Sequence, residues 1–257
     1  MHMDNRSHSK PAPPAASVPS AEPHGYLHES RRPLNSLLLI LLPLAVYQIF
    51  ALKYGTHLLA PQHLAKFLGY FGATAPLLPP ALIAVVLLVQ HFVHRRRWEF
   101  QPFVLLGMLI ESVAWVLPVL ALGHFTRVPM QAGGASTQVA APSQFLREAL
   151  QGLGAGIYEE FIFRLVLAGL ILFILADILE FRREVAAVVA IFIQAALFSL
   201  YHFQHPELTG QVPFPWGPFV FRMFAGAYLG GLYVLRGYGI TVGTHAMWNL
   251  YVAWICT

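Results

Sequence analysis

A chain of 257 residues that is 57% hydrophobic and only 11% charged has the composition of a polytopic membrane protein and leaves no room for a large water-exposed catalytic domain. Sixteen Lys and Arg against twelve Asp and Glu give a formal charge of +4, an excess that in such a chain reports topology through its loops and does not call for a nucleic-acid partner. One cysteine, Cys256, excludes an intrachain disulfide, a cysteine metal cluster and a dithiol redox site.

Residues 1–35, with PAPPAASVPS at their centre, lack any period that could bury a face and are expected to form a mobile polar tail without chemistry. The first apolar stretch begins only around Leu37 and is long enough for a crossing, so it reads as a transmembrane helix and not as a cleaved signal. Further apolar segments are predicted near 73–94, 103–123, 145–179, 186–204, 216–235 and 239–256, after the first at 36–55. The expected fold is therefore an all-α polytopic membrane helix bundle of about seven transmembrane helices, within a range of about six to eight. Pro61 through Leu68 reads as an interfacial connection. The fourth segment is too long for one perpendicular crossing, so it is tilted, broken near its charged centre, or preceded by an amphipathic piece containing Arg147 and Glu148.

Charge orients the bundle. Arg31 and Arg32 precede the first helix, Arg95, Arg96 and Arg97 follow the second, Arg182 and Arg183 the fourth, and Arg236 the sixth. All four positions are cytoplasmic if the N-terminus is, and the alternate loops 124–144 and 205–215 carry only Arg127 between them. No GxGxxG, Walker A, HExxH or CxxC motif occurs, nor a clear internal repeat.

Function must then rest on the few ionisable residues inside apolar segments. The fourth segment sets Glu159, Glu160 and Arg164 among apolar neighbours, an arrangement that demands internal pairing and a protein-lined cavity. Glu160 and Arg164 stand one helical turn apart and suit an ion pair. Glu159 points about 100° away from Glu160, so one carboxylate is satisfied while the other is left for proton transfer. A purely structural Glu–Arg lock is the competing reading, but one Arg does not compensate two acids.

The fifth segment ends in ALFSLYHFQHP, with Phe198 and His202 on one face and His205 beside Pro206 reading as an interfacial residue. The last segment places His245 and Asn249 four apart on one face, so the two polar groups can share a cavity. Gly226, Gly230 and Gly231 of the sixth segment give small-xxx-small spacings, read as close helix packing. Together, Glu159 or Glu160 with His202, His245 and Asn249 form a water-activating set that needs no Ser or Cys nucleophile. The carboxylate takes a proton from water, imidazole assists, and Asn249 with the second His stabilises an oxyanion. Zinc held by two His and a carboxylate is the alternative. The short ligand pair usual for zinc is missing, so metal-free chemistry without a cofactor ranks first.

The ordered strings EEFIFR, FSLYH and HAMWN resemble the EExxxR, FxxxH and HxxxN/D motifs of the CAAX protease and bacteriocin-processing family of intramembrane proteases. The resemblance covers roughly residues 145–253, and the three motifs in order are more specific than any one alone. It implies a glutamate-dependent endopeptidase: Glu159 corresponds to the general base, Glu160 and Arg164 to supporting members of the same motif, His202 to its partner on the water, and His245 and Asn249 to the oxyanion-stabilising motif. Leu165 departs from the Gly that many relatives carry after the motif Arg.

On this resemblance the chain divides into the tail 1–35, N-terminal membrane helices and loops over 36–144, and a CAAX-protease-like catalytic membrane core over 145–257. The implied partners are the lipid bilayer and a membrane-embedded or lipidated peptide. Eukaryotic-type members cut prenylated proteins after the modified Cys, while bacterial relatives are linked to peptide processing, bacteriocin immunity and membrane-protein maturation. Compactness and family distribution point to a multi-pass protein of a bacterial cytoplasmic membrane with a cytoplasmic N-terminus. A proton-coupled transporter and a noncatalytic immunity protein are the alternatives that use the same residues. One difficulty stands: the segment boundaries set Glu159 near mid-membrane, His202 toward the outer side and His245 toward the cytoplasmic side, a spread too wide for one water unless the fourth segment breaks or tilts.

Overall fold

The structure is a computed structural model that describes residues 25–94, 98–99, 101–126 and 143–256. Arg95, Arg96, Arg97 and Arg127, most of the 124–144 loop and most of the 1–35 tail lie outside the described residues. Every regular element among those described is helical, as an apolar chain requires when lipid offers its backbone no hydrogen-bond partner. In order these are α1 (Tyr26–Glu29), α2 (Pro33–Tyr54), α3 (Leu59–Gly69), α4 (Leu78–Val93), α5 (Pro102–Ala114), α6 (Val116–Thr126) and α7 (Gln144–Glu160). After α7 the chain continues through a π-helical turn Phe161–Ala168, α8 (Gly169–Leu172) and a second π stretch Phe173–Ile178. Then come α9 (Arg183–Leu200), α10 (His205–Leu208), α11 (Trp216–Arg236) and α12 (Tyr238–Cys256). Each of the seven predicted segments contains a helix.

Five spans among the described residues are long and apolar enough to cross a membrane: Pro33–Tyr54, Pro102–Thr126, Gln144–Ile178, Arg183–Leu200 and Trp216–Arg236. Leu78–Val93 is shorter but apolar. The chain is a multi-pass membrane protein of all-α bundle architecture. In α2 the pattern is plain: Leu37, Ile40, Leu44 and Tyr47 are buried, while Leu41, Leu42, Val46 and Ile49 are exposed, so apolar residues cover both the core face and the lipid-side face. The interfacial piece predicted around Pro61 is α3, which buries Ala60, Pro61 and Leu64.

The end of the predicted tail is a correction. Residues 26–35 form α1 and the first turn of α2, with Glu29, Ser30 and Asn35 at most 1% exposed. Polar composition hid this, because these residues bury polar atoms in a specific network. Tyr26 donates to Glu111 Oε2 at 2.5 Å, Arg236 Nη2 reaches Ser30 Oγ at 3.0 Å, and Asn35 Nδ2 donates to Glu29 O at 2.8 Å. Arg236 also pairs with Glu111 through its Nε and Nη2, so a carboxylate in the middle of an apolar helix is neutralised by an arginine from α11.

Two interfaces position the functional residues. α12 lies along α7 because α7 offers glycine where the helices touch: a Cβ on Gly152 would sit 2.8 Å from the Asn249 Cβ, and one on Gly156 would sit 2.9 Å from the Ala246 N. α11 closes on α9 through Gly226 and Gly230, which face Phe198 and Gln194, as the small-residue spacing predicts; Gly231 faces open space. The Gly226 carbonyl accepts from Arg164 at 3.3 Å and from Gln194 at 3.1 Å, tying the first π turn, α9 and α11 at one point. α2 packs on both α7 and α12, and α5 packs on α12 and α2, so the N-terminal helices wall the same core.

The long fourth segment does not break. Its second half, Phe161–Ile178, and α9 form a helical hairpin about the turn at residues 179–182. Two antiparallel arms of matching length bring their outer ends level, so Glu159 and Glu160, just before one arm, meet His202, just after the other.

Candidate active site

Glu159 and Glu160 close α7, and being adjacent on a helix they face different neighbours. Glu160 is fully buried and its two oxygens are divided: Oε2 lies 2.8 Å from Arg164 Nε, and Oε1 lies 2.7 Å from His245 Nδ1. The ion pair expected one turn apart is present. Arg164 is itself fully buried, with its guanidinium 4.8 Å over the Phe198 ring, so charge, cation–π contact and the Gly226 carbonyl together hold it.

Glu159 keeps a carboxylate edge toward a cavity of about 210 Å³ that Glu148, Gln151, His202, His245 and Asn249 also line. Its Oε2 stands 3.7 Å from His202 Nε2 and 3.8 Å from His245 Nε2. These gaps exceed a direct hydrogen bond and leave room for one water to touch all three groups. The expected spread of these residues through the membrane is thus overturned by the hairpin geometry.

Each imidazole is oriented through its other nitrogen. His202, just past the end of α9, sets Nδ1 at 2.8 Å from the Phe198 carbonyl, and since a carbonyl only accepts, Nδ1 carries the proton and Nε2 presents a lone pair. Burial holds this imidazole below its ordinary value of 6.5, against the pull of Glu159. His245 is fixed the same way, its Nδ1 on the Glu160 carboxylate. The Phe198 ring contacts the two imidazoles, at 4.8 Å for His202 and 6.0 Å for His245, so the phenylalanine of the FxxxH string packs against both histidines.

Asn249, one turn beyond His245, spends one amide hydrogen on the Gly152 carbonyl at 3.1 Å. A primary amide has two, and the second remains for a bound group. A second cavity of about 210 Å³ opens on the far side of the histidines, with Val119, Phe221, Ala225, Leu229 and Trp248 among its apolar lining.

The sequence reading gave no site role to Glu148, Gln151, Tyr201 or Arg222. Glu148, Gly152, Ala155 and Glu159 line one cavity at helical spacing, a stripe that could be seen on a helical wheel. Arg222 lines the second cavity with His202, its guanidinium 5.3 Å over the Phe203 ring; a single arginine in an apolar segment is the signal. Tyr201 holds His63 of α3 at 2.7 Å, and burial together with the Glu159 charge pushes its phenol up. Such a pairing over long sequence separation has no sequence signature. His205, read as interfacial, begins the short α10. Among the described residues no group of three or more His, Cys, Asp and Glu is arranged to hold a metal ion.

Residues 141–251 match the family model described as Rce1-like, type II CAAX prenyl endopeptidase Rce1-like. That stretch, under half of the chain, contains all three motifs, and over it the chain is similar to the CAAX protease family. The similarity supports an intramembrane endopeptidase of the CAAX type in general terms. No curated protein and no solved structure matches the chain.

Proposed function

We propose that the protein hydrolyses a peptide bond of a membrane-embedded or lipidated peptide with water activated by Glu159, without metal or cofactor. The observation that carries this reading is the division of labour between adjacent carboxylates: Glu160 is consumed by Arg164 and His245, while Glu159 faces the two Nε2 atoms across a water-sized gap. Water held between Glu159 and His202 gives a proton to Glu159, and its oxygen attacks the carbonyl carbon. The oxyanion takes the free amide hydrogen of Asn249, and His245 stands beside it with its ring fixed by Glu160. The proton on Glu159 then passes to the amine nitrogen as the C–N bond breaks. Products are a carboxylate that contains the water oxygen and a free amine.

The apolar cavity beside the histidines suits a lipid or apolar side chain next to the cleaved bond. Arg31, Arg32 and Arg236 gather at the end of the bundle away from the glutamates, since Arg236 reaches Ser30 and Arg31 reaches the Leu235 carbonyl. By the positive-inside tendency that end is cytoplasmic, with the N-terminus on the same side, in the cytoplasmic membrane of a bacterium. The catalytic core is assigned to 145–257.

The test is cleavage of a panel of membrane-anchored and lipidated peptides by purified protein, comparing wild type with Glu159→Gln, before and after stringent chelation. Metal-independent cleavage that falls about 100-fold or more in a folded Glu159→Gln protein is expected. Unchanged cleavage by that variant sinks the assignment, and loss on chelation with recovery on adding zinc favours the metal alternative.

A further inference from the structure

At the end of the bundle opposite the glutamates lies a cavity of about 500 Å³, enclosed by the first turn of α2, the C-terminal end of α4, Leu165 and the α11–α12 turn. Its charged and titratable lining includes Arg31, Arg32, His28 and His94, with Gln90 and Ser36 between them, and no Asp or Glu among its described residues. Arg32 is only 7% exposed. Its Nη2 pairs with Glu29 at 2.7 Å, yet its Nε and Nη1 make no hydrogen bond. A buried guanidinium with two donor atoms left over is costly unless an acceptor with several oxygens arrives. Arg31, exposed at the rim, adds a second positive charge while donating to the Leu235 carbonyl. Below this basic rim the lining turns apolar through Leu87, Leu165 and Val234, and Val234 is 54% exposed on the outer face of α11.

We propose that this cavity binds a phosphate group, and that its basic rim over an apolar wall fits the headgroup of an anionic phospholipid. The phosphate oxygens meet the charge of Arg31 at the rim and of Arg32 in the lining, while an acyl chain leaves along Leu165 and Val234 into the bilayer. Glu159 is not among the residues that line the cavity, and the site does not depend on the proteolytic reading. Because it is built on the turn that launches α12, occupancy fastens α2, α4, α11 and α12 together at one end.

The experiment is native mass spectrometry of the purified full chain titrated with dioleoylphosphatidylglycerol, dioleoylphosphatidylcholine and inorganic phosphate. Wild type, Arg31→Glu, Arg31→Lys and His94→Gln are compared, with thermal unfolding confirming the fold of each. Retention of phosphatidylglycerol over phosphatidylcholine is expected, weakened about fivefold or more by Arg31→Glu and largely kept by Arg31→Lys. Displacement of the lipid by inorganic phosphate, with the same sensitivity to Arg31→Glu, assigns the site to the free anion. A lipid preference that Arg31→Glu leaves untouched, or retention of neither anion, overturns the proposal.

Discussion

His245 Nδ1 and Glu160 Oε1 stand 2.7 Å apart across the interface of α7 and α12. That bond joins the first and third motifs of the chain and ties the His245 imidazole to a buried Glu–Arg pair. It sets the direction in which His245 Nε2 points, toward the cavity that Glu159 lines.

Removing the charge of Glu160 alone leaves Arg164 buried without compensation. Glu160→Gln is expected to destabilise the protein by about 3–5 kcal/mol, while Glu160→Gln combined with Arg164→Met recovers most of that loss. Chemical unfolding in detergent measures both. A single variant as stable as wild type would show that the pair is not desolvated as described.

The pH profile follows from His202. Its Nε2 must be a lone pair to hold water, and burial holds its titration below 6.5. The protonated form is thus disfavoured in the folded protein, and the stability linked to this group is present above the ordinary value and lost as pH falls beneath it. The acid limb of kcat/KM is expected below pH 6.5. A limb centred above 6.5 would contradict the buried, neutral imidazole.

For Asn249, the second amide hydrogen is the quantity at stake. Asn249→Ala is expected to lower kcat about 100-fold to 1,000-fold with little change in KM, since the bond forms to the oxyanion and not to the ground-state substrate. Steady-state kinetics on a cleaved peptide decide it: a rise in KM alone would make Asn249 a binding residue.

Helix approach is testable without substrate. Gly156→Ala places a methyl 2.9 Å from the Ala246 nitrogen and is expected to cost about 1–3 kcal/mol by forcing α12 away from α7. Gly231→Ala, which meets nothing within 4 Å, serves as the matched control and should be neutral or slightly stabilising. Equal melting temperatures for the two variants would refute the tight α7–α12 contact.

The helices were legible because apolar runs of crossing length leave the backbone no other choice, and the Glu160–Arg164 pair because one turn of helix fixes it. The meeting of Glu159 with His202 was also written in the chain, as near-equal arms on either side of the 179–182 turn, but placing Glu159 near mid-membrane and His202 toward the outer side concealed it. Other features had no local signal. Tyr26, Ser30 and Glu111 find Arg236 only through the tertiary arrangement, so a polar stretch that looked like tail is packed. Gly152 and Gly156 were overlooked because the charged residues after them drew the reading, although their spacing matches that of Gly226 and Gly230.

The π winding of Phe161–Ala168 and Phe173–Ile178 sets the length of this arm as well as its register. A π turn holds more residues than an α turn over the same rise, so rewinding either stretch to α would extend the helix beyond Arg164 while Glu159 and Glu160 stay moored to His245. The arm thereby carries slack. More residues are stored in its length than an α-helix of the same rise would hold, and the end that carries Glu159 and Glu160 is fixed separately, by His245.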